Sequence, residues 1–323
     1  MFMEWGIVYS AEINRRQPAL LMLLVDQSFS MSEPAGQGQG TKADVLALAV
    51  NNLLGNAVLL CSRGGERIYN YFEVGVVGYG AKIGPILHGA DADRRVLPVS
   101  ELAENPRRVD AVTRRVPDGA GGVVAVNQQM PVWVDPLSDG ATPMVSALTY
   151  AEPVIASWCA EHPSSFPPIV INVTDGASTD GDPRDAANRI RALSTDDGAA
   201  LVFNLHLSAL GGQSVTFPDT AAGLSDPNAR RLFEASSILP PSMLEASASL
   251  GYSVNAGSRG FLYNADVTMV IDFLDIGTRA VTPTGLKELM SPAADDLVSD
   301  DGDDAVDDGQ DGSTRAHGDA QTW

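Results

Sequence analysis

The stretch Asp26-Gln27-Ser28-Phe29-Ser30 sets one carboxylate and two hydroxyls at alternate positions. Oxygens spaced in this way along one loop can turn to a common point, and such a point suits a hard divalent cation. Mg2+ takes near-octahedral oxygen ligands at about 2.0 to 2.1 Å and keeps several waters, so hydroxyls, a carboxylate and water match it. The nitrogen and sulfur that zinc prefers are missing. Two other stretches offer oxygen in a comparable setting: DGATP supplies Thr142, and VTDG supplies Asp175. The expected metal site is therefore Asp26, Ser28, Ser30, Thr142 and Asp175, holding Mg2+, or Mn2+ or Ca2+ in its place.

Elements that could position these residues follow from the hydrophobic pattern. Ala19 to Val25 (ALLMLLV) has no polar residue and stops at Asp26, as expected of a strand buried on both faces of a parallel sheet. Thr41 followed by Asp44 makes a capping-box-like start, and Leu46, Ala49, Val50, Leu53, Ala57 and Leu60 recur at helical spacing, so Thr41 to Cys61 is predicted as an amphipathic helix. Tyr69 to Gly80 and Ile169 to Thr174 read as further central strands. A helix is expected between Thr142 and Cys159, with Thr142 as N-cap and Pro143 in its first turn. Asp185 to Leu193 reads as another helix, Ala199 to Leu207 as a strand, and Ala265 to Phe273 as a closing helix.

Strands alternating with helices imply an α/β fold with a doubly wound, mostly parallel sheet, whose ligand sites lie beyond the carboxyl ends of the strands. Asp26 and Asp175 both fall there. The segment 91–134 breaks the alternation: Val112 to Val116 and Val123 to Val126 flank PDGAGG as in a β-hairpin, so it reads as an insertion. The expected domain runs over 1–290. Residues 291–323, rich in Asp, Gly and Ala, are expected to form a disordered acidic tail.

A chain of 323 residues with 44% hydrophobic content can bury a substantial core. Its two cysteines, Cys61 and Cys159, lie outside any CxxC or Cys/His cluster and read as reduced core thiols. The first residues lack signal-peptide architecture, and the apolar runs look shorter than a membrane span, so a cytoplasmic location is expected. Of the formal charge of -20, ten Asp against one Arg place about -9 in the tail and leave about -11 for the body. Such a surface repels nucleic acid and anionic membrane. A bound metal or a cationic partner is its natural complement.

In its DxSxS, Thr142 and Asp175 in this chain order, the sequence resembles the von Willebrand factor A (vWA) family, whose metal-ion-dependent adhesion site (MIDAS) is built from these elements. The resemblance covers roughly Ala19 to Phe273. It implies that Ser28 and Ser30 bind the metal through their hydroxyls, that Asp26 lies close by and is hydrogen-bonded or water-bridged, and that Thr142 and Asp175 join directly or through water. One coordination position is then left for a carboxylate of a protein partner. In style the chain is similar to bacterial cytoplasmic members such as the tellurite-resistance TerY-like proteins, which implies a role in stress response beside a kinase, a phosphatase or an AAA+ ATPase. Gln27 and Phe29 depart from the usual small residues of the motif. Phe29 lacks the freedom of glycine, and if exposed it would add apolar contact area for a partner.

Each oxygen-bearing residue also has a plain structural reading. Ser28 and Ser30 can cap a loop, Thr142 can be no more than an N-cap, and Asp175 can be a turn residue. Asp180 and Asp182 read as helix-start acids or as outer support for the metal. Arg94-Arg95, Arg107-Arg108 and Arg114-Arg115 read as a solvated face of the insertion, although the acidic tail could dock on them. His88, His162, His206 and His317 are scattered, with His206 expected to be a satisfied sheet residue. GxxxxGK[ST], HExxH and GxSxG are all absent from the sequence. The function expected is a non-enzymatic, metal-dependent protein-binding adaptor. The alternative is a Mg2+-dependent phosphohydrolase with Asp26 as nucleophile, although Ser28 stands where a second acid would be needed.

Overall fold

A strand apolar on both sides needs cover on both sides, and this requirement organises the molecule. A computed structural model of the chain describes residues 9–35, 40–62, 67–117, 123–207, 214–265, 269–273 and 276. Strand β1 (Ala19–Asp26) is buried at every position. It runs parallel to β2 (Phe72–Tyr79) on one side, with Ala19 opposite Phe72 and Asp26 opposite Tyr79. After a 3-10 turn (Phe29–Ser32), helix α1 (Lys42–Ser62) connects the two strands. Short strands β3 (Ile83–Pro85) and β4 (Leu97–Pro98) both pair antiparallel with β2. Helix α2 (Val99–Glu104) leads into β5 (Arg108–Pro117) and β6 (Val123–Val132), an antiparallel ribbon paired only with itself. This is the expected insertion with its hairpin, each strand longer than the sequence signal suggested. Its turn, 118–122, lies outside the described residues.

Helix α3 (Met144–Glu161) returns the chain to the other side of β1, where β7 (Ile169–Thr174) pairs parallel with it from Leu21 opposite Ile169 to Val25 opposite Val173. Next come α4 (Arg184–Arg191), a small antiparallel pair β8 (Ser194–Thr195) and β9 (Gly198–Ala199), and β10 (Leu201–Leu207), parallel to β7. After the edge strand β11 (Val215–Thr216), helices α5 (Pro227–Ala235) and α6 (Pro241–Ser249) precede β12 (Phe261–Ala265), parallel to β10. The main sheet has the order β11-β12-β10-β7-β1-β2-β3, with parallel strands at its centre and antiparallel ones at its edges. This is the doubly wound, mostly parallel α/β fold expected from the alternation of strands and helices.

Leu21, Leu23 and Val25 of β1 share one core layer with Leu46, Val50 and Leu53 of α1. Leu20, Met22 and Leu24 point the other way and share a layer with Leu148 and Ile155 of α3. Each fully buried leucine contributes about 1.5 to 3 kcal/mol, so β1 alone commits the chain to a two-sided sheet. Because the chain leaves β1 toward β2 and later resumes on the far side at β7, the strand order reverses between β1 and β7. Open α/β sheets bind ligands at such a switch point, beyond the carboxyl ends of the strands.

Several expectations need correction. Ala265 ends strand β12 instead of opening a helix; helical backbone is found at 269–273. Helices α5 and α6 fall in a stretch for which no element was expected, although Asp226 as N-cap and Pro227 in the first turn mark the start of α5. Helix α1 is, by length and composition, apolar enough to cross a bilayer, contrary to the expectation that the apolar runs fall short. Yet 56% of that stretch is buried inside the fold, as in a core helix, while Leu48, Leu59 and Leu60 are exposed. Cys61 and Cys159 are free and buried, and burial pushes their thiols up to about 12 and about 11. The tail 291–323 lies outside the described residues.

Candidate metal centre

The carboxyl end of β1 delivers Asp26 into an almost dry setting, at 1% exposure. Its Oδ1 accepts the Ser28 backbone N–H at 2.8 Å, and its Oδ2 accepts the Thr174 hydroxyl from the neighbouring end of β7 at 2.6 Å. Burial raises the Asp26 carboxyl above its ordinary pKa against the pull of these hydrogen bonds, and the nearby Asp175 charge adds to the rise. Tyr79, at the matching end of β2, is pushed well above the ordinary tyrosine range by burial and by the Asp26 charge. Its hydroxyl donates to Asn172 at 2.7 Å, beneath the site.

Ser28 and Ser30 bring their hydroxyl oxygens within 3.1 Å of each other. The Ser30 hydroxyl donates to Asp175 Oδ1 at 2.7 Å, joining the loop after β1 to the loop after β7. Ser28 precedes the 3-10 turn without capping it through its side chain. The plain capping reading thus fails for this residue. Phe29 opens that turn with φ below zero and is 72% exposed beside the hydroxyls, so the motif needs no glycine there.

Thr142 reaches the rim on a third loop, laced to both of the others. Phe29 N donates to Gly140 O at 2.9 Å and Asp139 N to Gln27 O at 2.7 Å. On the far side Thr142 N donates to the Thr179 hydroxyl at 3.1 Å, and Thr179 N returns a bond to Thr142 O at 2.9 Å. Thr142 is buried but is not the N-cap of α3: Pro143 holds that position, and the first free N–H groups, of Val145 and Ser146, donate to Asp180 at 3.0 and 2.8 Å. Asp180 therefore does the capping expected of Thr142. Against burial, hydrogen bonds from Ser146, Ser178 and Val145 hold its carboxyl below the usual range. Asp182 binds Arg184 at the start of α4, as a helix-start acid does.

Glycines make the lacing possible. Gly140 has φ +85, a region costly for other residues, and a Cβ there would come within 2.3 Å of Ala81 N. A Cβ on Gly80 would meet Asp139 O and Gln27 O at about 2.5 Å, and one on Gly78 would strike the Gln27 side chain. Gln27 is thus a spacer filling room that glycines leave.

The sequence reading missed Lys42. Only 5% exposed, it places its ammonium 2.6 Å from Asp175 Oδ2 and 2.8 Å from Glu33 Oε2. Burial works against its charge, but both carboxylates outweigh this and raise its pKa above the ordinary lysine value. A lysine one residue before Ala43 in a capping box carries no ligand signal of its own. His206, level with Thr174 across the sheet, packs its ring at a tilt on Tyr263, with centroids 4.7 Å apart, and burial lowers its pKa. Its Nδ1 is buried without a hydrogen-bond partner, so it is less well satisfied than expected.

The donor chemistry fits a hard cation. Among the described residues His, Cys, Asp and Glu nowhere gather in threes in metal-holding geometry, so this rim offers two carboxylates and several hydroxyls. Asp26, Ser28, Ser30 and Asp175 are linked by direct hydrogen bonds among themselves and with Thr174, and Thr142 lies on the loop stitched to theirs. These residues would hold a divalent ion through oxygen, with water completing its shell.

No family model matches the sequence, and no curated protein is similar to it. Among solved structures, the chain is similar to proximal thread matrix protein 1 from the mussel byssus, at 13% identity over 84% of this chain and 48% of that one, with a TM-score of 0.45. The same protein with a zinc-occupied MIDAS motif gives 14% identity, 84% and 50% coverage, and 0.44. The PilB minor pilin from Streptococcus sanguinis gives 10% identity, 82% and 62% coverage, and 0.41. The chain spans about half the length of the mussel protein. At these identities and scores no residue or activity transfers from them. The chain folds as a doubly wound, mostly parallel α/β domain, with its oxygen-bearing loops gathered at the switch point.

Proposed function

We propose that this protein is a metal-ion-dependent protein-binding module, in which Asp26, Ser28, Ser30, Thr142 and Asp175 hold Mg2+ and an acidic side chain of a partner completes the ion's shell. The observation that carries this reading is the joining of Ser28, Ser30 and Asp175 from two loops at the switch point, beside an exposed Phe29. When bound, the ion supplies a positive centre that a carboxylate can reach; Phe29 offers apolar area next to it. Mn2+ or Ca2+ could take the place of Mg2+. We place the protein in the cytoplasm of a bacterium as a TerY-like adaptor for a kinase, a phosphatase or an AAA+ ATPase, without nucleic acid or membrane as partner.

The phosphohydrolase alternative is less well supported. An aspartate nucleophile must reach the phosphorus of its substrate directly, whereas Asp26 is buried and hydrogen-bonded through both oxygens, a setting that still allows it to act on a neighbouring ion through its charge or through water. The test is capture of partners from the host extract on immobilised protein, with Mg2+ and with EDTA, beside Asp26→Asn. Wild type with Mg2+ should retain a partner that EDTA and the variant both release. A partner retained equally in EDTA would overturn the reading.

A further inference from the structure

We propose that Lys42 is the site's built-in counter-cation: a positioning residue that holds Asp175 ready for Ser30 and, by its charge, weakens the site's grip on a divalent ion. The proposal rests on the metal-dependent reading above and adds to it what sets the affinity. Asp175 divides its carboxylate, with Oδ1 taking the Ser30 hydroxyl at 2.7 Å and Oδ2 the Lys42 ammonium at 2.6 Å. Its side chain is fully buried, so without the ammonium its charge would stand almost unpaired.

Lys42 is fixed independently of any ligand. Its backbone N–H donates to Glu33 O at 2.9 Å, its side chain meets the Glu33 carboxylate, and a bridge between Pro34 and Thr41 closes the same loop. The ammonium is therefore built into the start of α1 and cannot swing away at little cost. Two hydrogen bonds and one carboxylate separate it from the Ser30 oxygen, a reach of at most about 7.5 Å, and even at the dielectric of water a positive charge that close to a divalent ion weakens binding several-fold. Glu33, more than half exposed, offsets this only in part. The same charge favours an anionic partner over the ion alone, because it leaves the loaded site more positive.

The experiment is Mn2+ titration of the full chain, followed by the paramagnetic signal of free Mn2+, for wild type, Lys42→Met, Lys42→Gln and Lys42→Arg, with thermal melts alongside. Lys42→Met and Lys42→Gln should bind Mn2+ several-fold more tightly although they melt lower, and Lys42→Arg should stay near wild type. A purely structural lysine would loosen Mn2+ binding as it lowers the melt, and that result overturns the proposal. Should Lys42→Met and Lys42→Gln fail to fold, Glu33→Gln and Glu33→Lys, which keep Lys42 and Asp175 and change only the exposed carboxylate beside the ammonium, should bind Mn2+ progressively more weakly while melting near wild type, and unchanged or tighter binding overturns the proposal. Binding by Lys42→Met where wild type shows none supports it, with the ammonium as the blocking charge. Binding by neither sinks the metal-dependent reading and this proposal together, whereas binding by wild type with no gain in the variants sinks this proposal alone.

Discussion

Two regions of this molecule carry concentrated polar side chains, and they use them differently. At the rim between β1 and β7 the polar groups are buried or half-buried and bonded across loops far apart in sequence, such as Thr174 to Asp26 and Lys42 to Asp175. At the described end of the ribbon of β5 and β6 the charged side chains are open to water: Arg108 pairs with Asp110 and Asp135, each more than 40% exposed. A buried polar group left unpaired costs its full desolvation, whereas an exposed pair exchanges one hydration for another. Composition would rank the arginine-rich insertion as the more eventful region. Burial ranks the rim first.

The comparison can be broken most forcibly at Gly140. Gly140→Ala puts a Cβ against Ala81 and holds the backbone in a left-handed region, so we expect a loss of about 2 to 4 kcal/mol together with the loss of metal binding. Urea denaturation and Mn2+ titration check this. Wild-type stability in the variant would mean that the third loop can shift freely, and that the rim is less tightly built than its hydrogen bonds imply.

Asp26 should follow. Asp26→Ala strands the Thr174 hydroxyl and the Ser28 N–H, for a loss of about 2 kcal/mol; Asp26→Asn keeps the shape and should fall within about 1 kcal/mol of wild type at neutral pH in EDTA. Both should abolish metal binding, which separates the ion's needs from those of the fold. The sign with pH follows from the raised Asp26 pKa. A carboxyl that holds its proton more firmly when folded contributes stability that is full below the unfolded value of about 3.9 and is lost as pH rises through the folded value. Asp26→Asn does not titrate there, so its stability relative to wild type should improve from acid to neutral pH. A difference independent of pH would show that Asp26 is not desolvated as its burial implies.

How much of this was legible in the sequence depends on whether the cause was local. β1, α1 and β7 were legible because an unbroken apolar run or a capping box is written in adjacent residues. Ser28, Ser30 and Asp175 were legible because they follow such runs. Lys42 and Thr174 were not: their partners stand 133 and 148 positions away, and nothing nearby marks them. Thr142 was placed at the rim for a partly mistaken reason, since the capping assigned to it belongs to Asp180, which no local pattern ties to α3. β12 was missed because helix and strand tendencies near Ala265 are balanced, and pairing with β10 decides between them.

The smallest effect belongs to the ribbon, and it sharpens the comparison from the other side. Arg108→Ala removes ion pairs to Asp110 and Asp135 that are open to solvent, so the expected loss is below about 1 kcal/mol and shrinks further in salt. Metal affinity should not change, because among the described residues β5 and β6 pair as strands only with each other, apart from the main sheet that carries β1 and β7. Arg94 is likewise matched to Glu101, and Arg95 lies over the Tyr150 ring at 4.2 Å, so these arginines have partners within the fold and need not await the acidic tail. Parallel urea titrations of Arg108→Ala and Asp26→Ala, at low and high salt, make the decisive pair. If the ribbon variant lost as much as the rim variant, or if it shifted Mn2+ binding, exposure would be a poor guide to which of the two regions carries the energy.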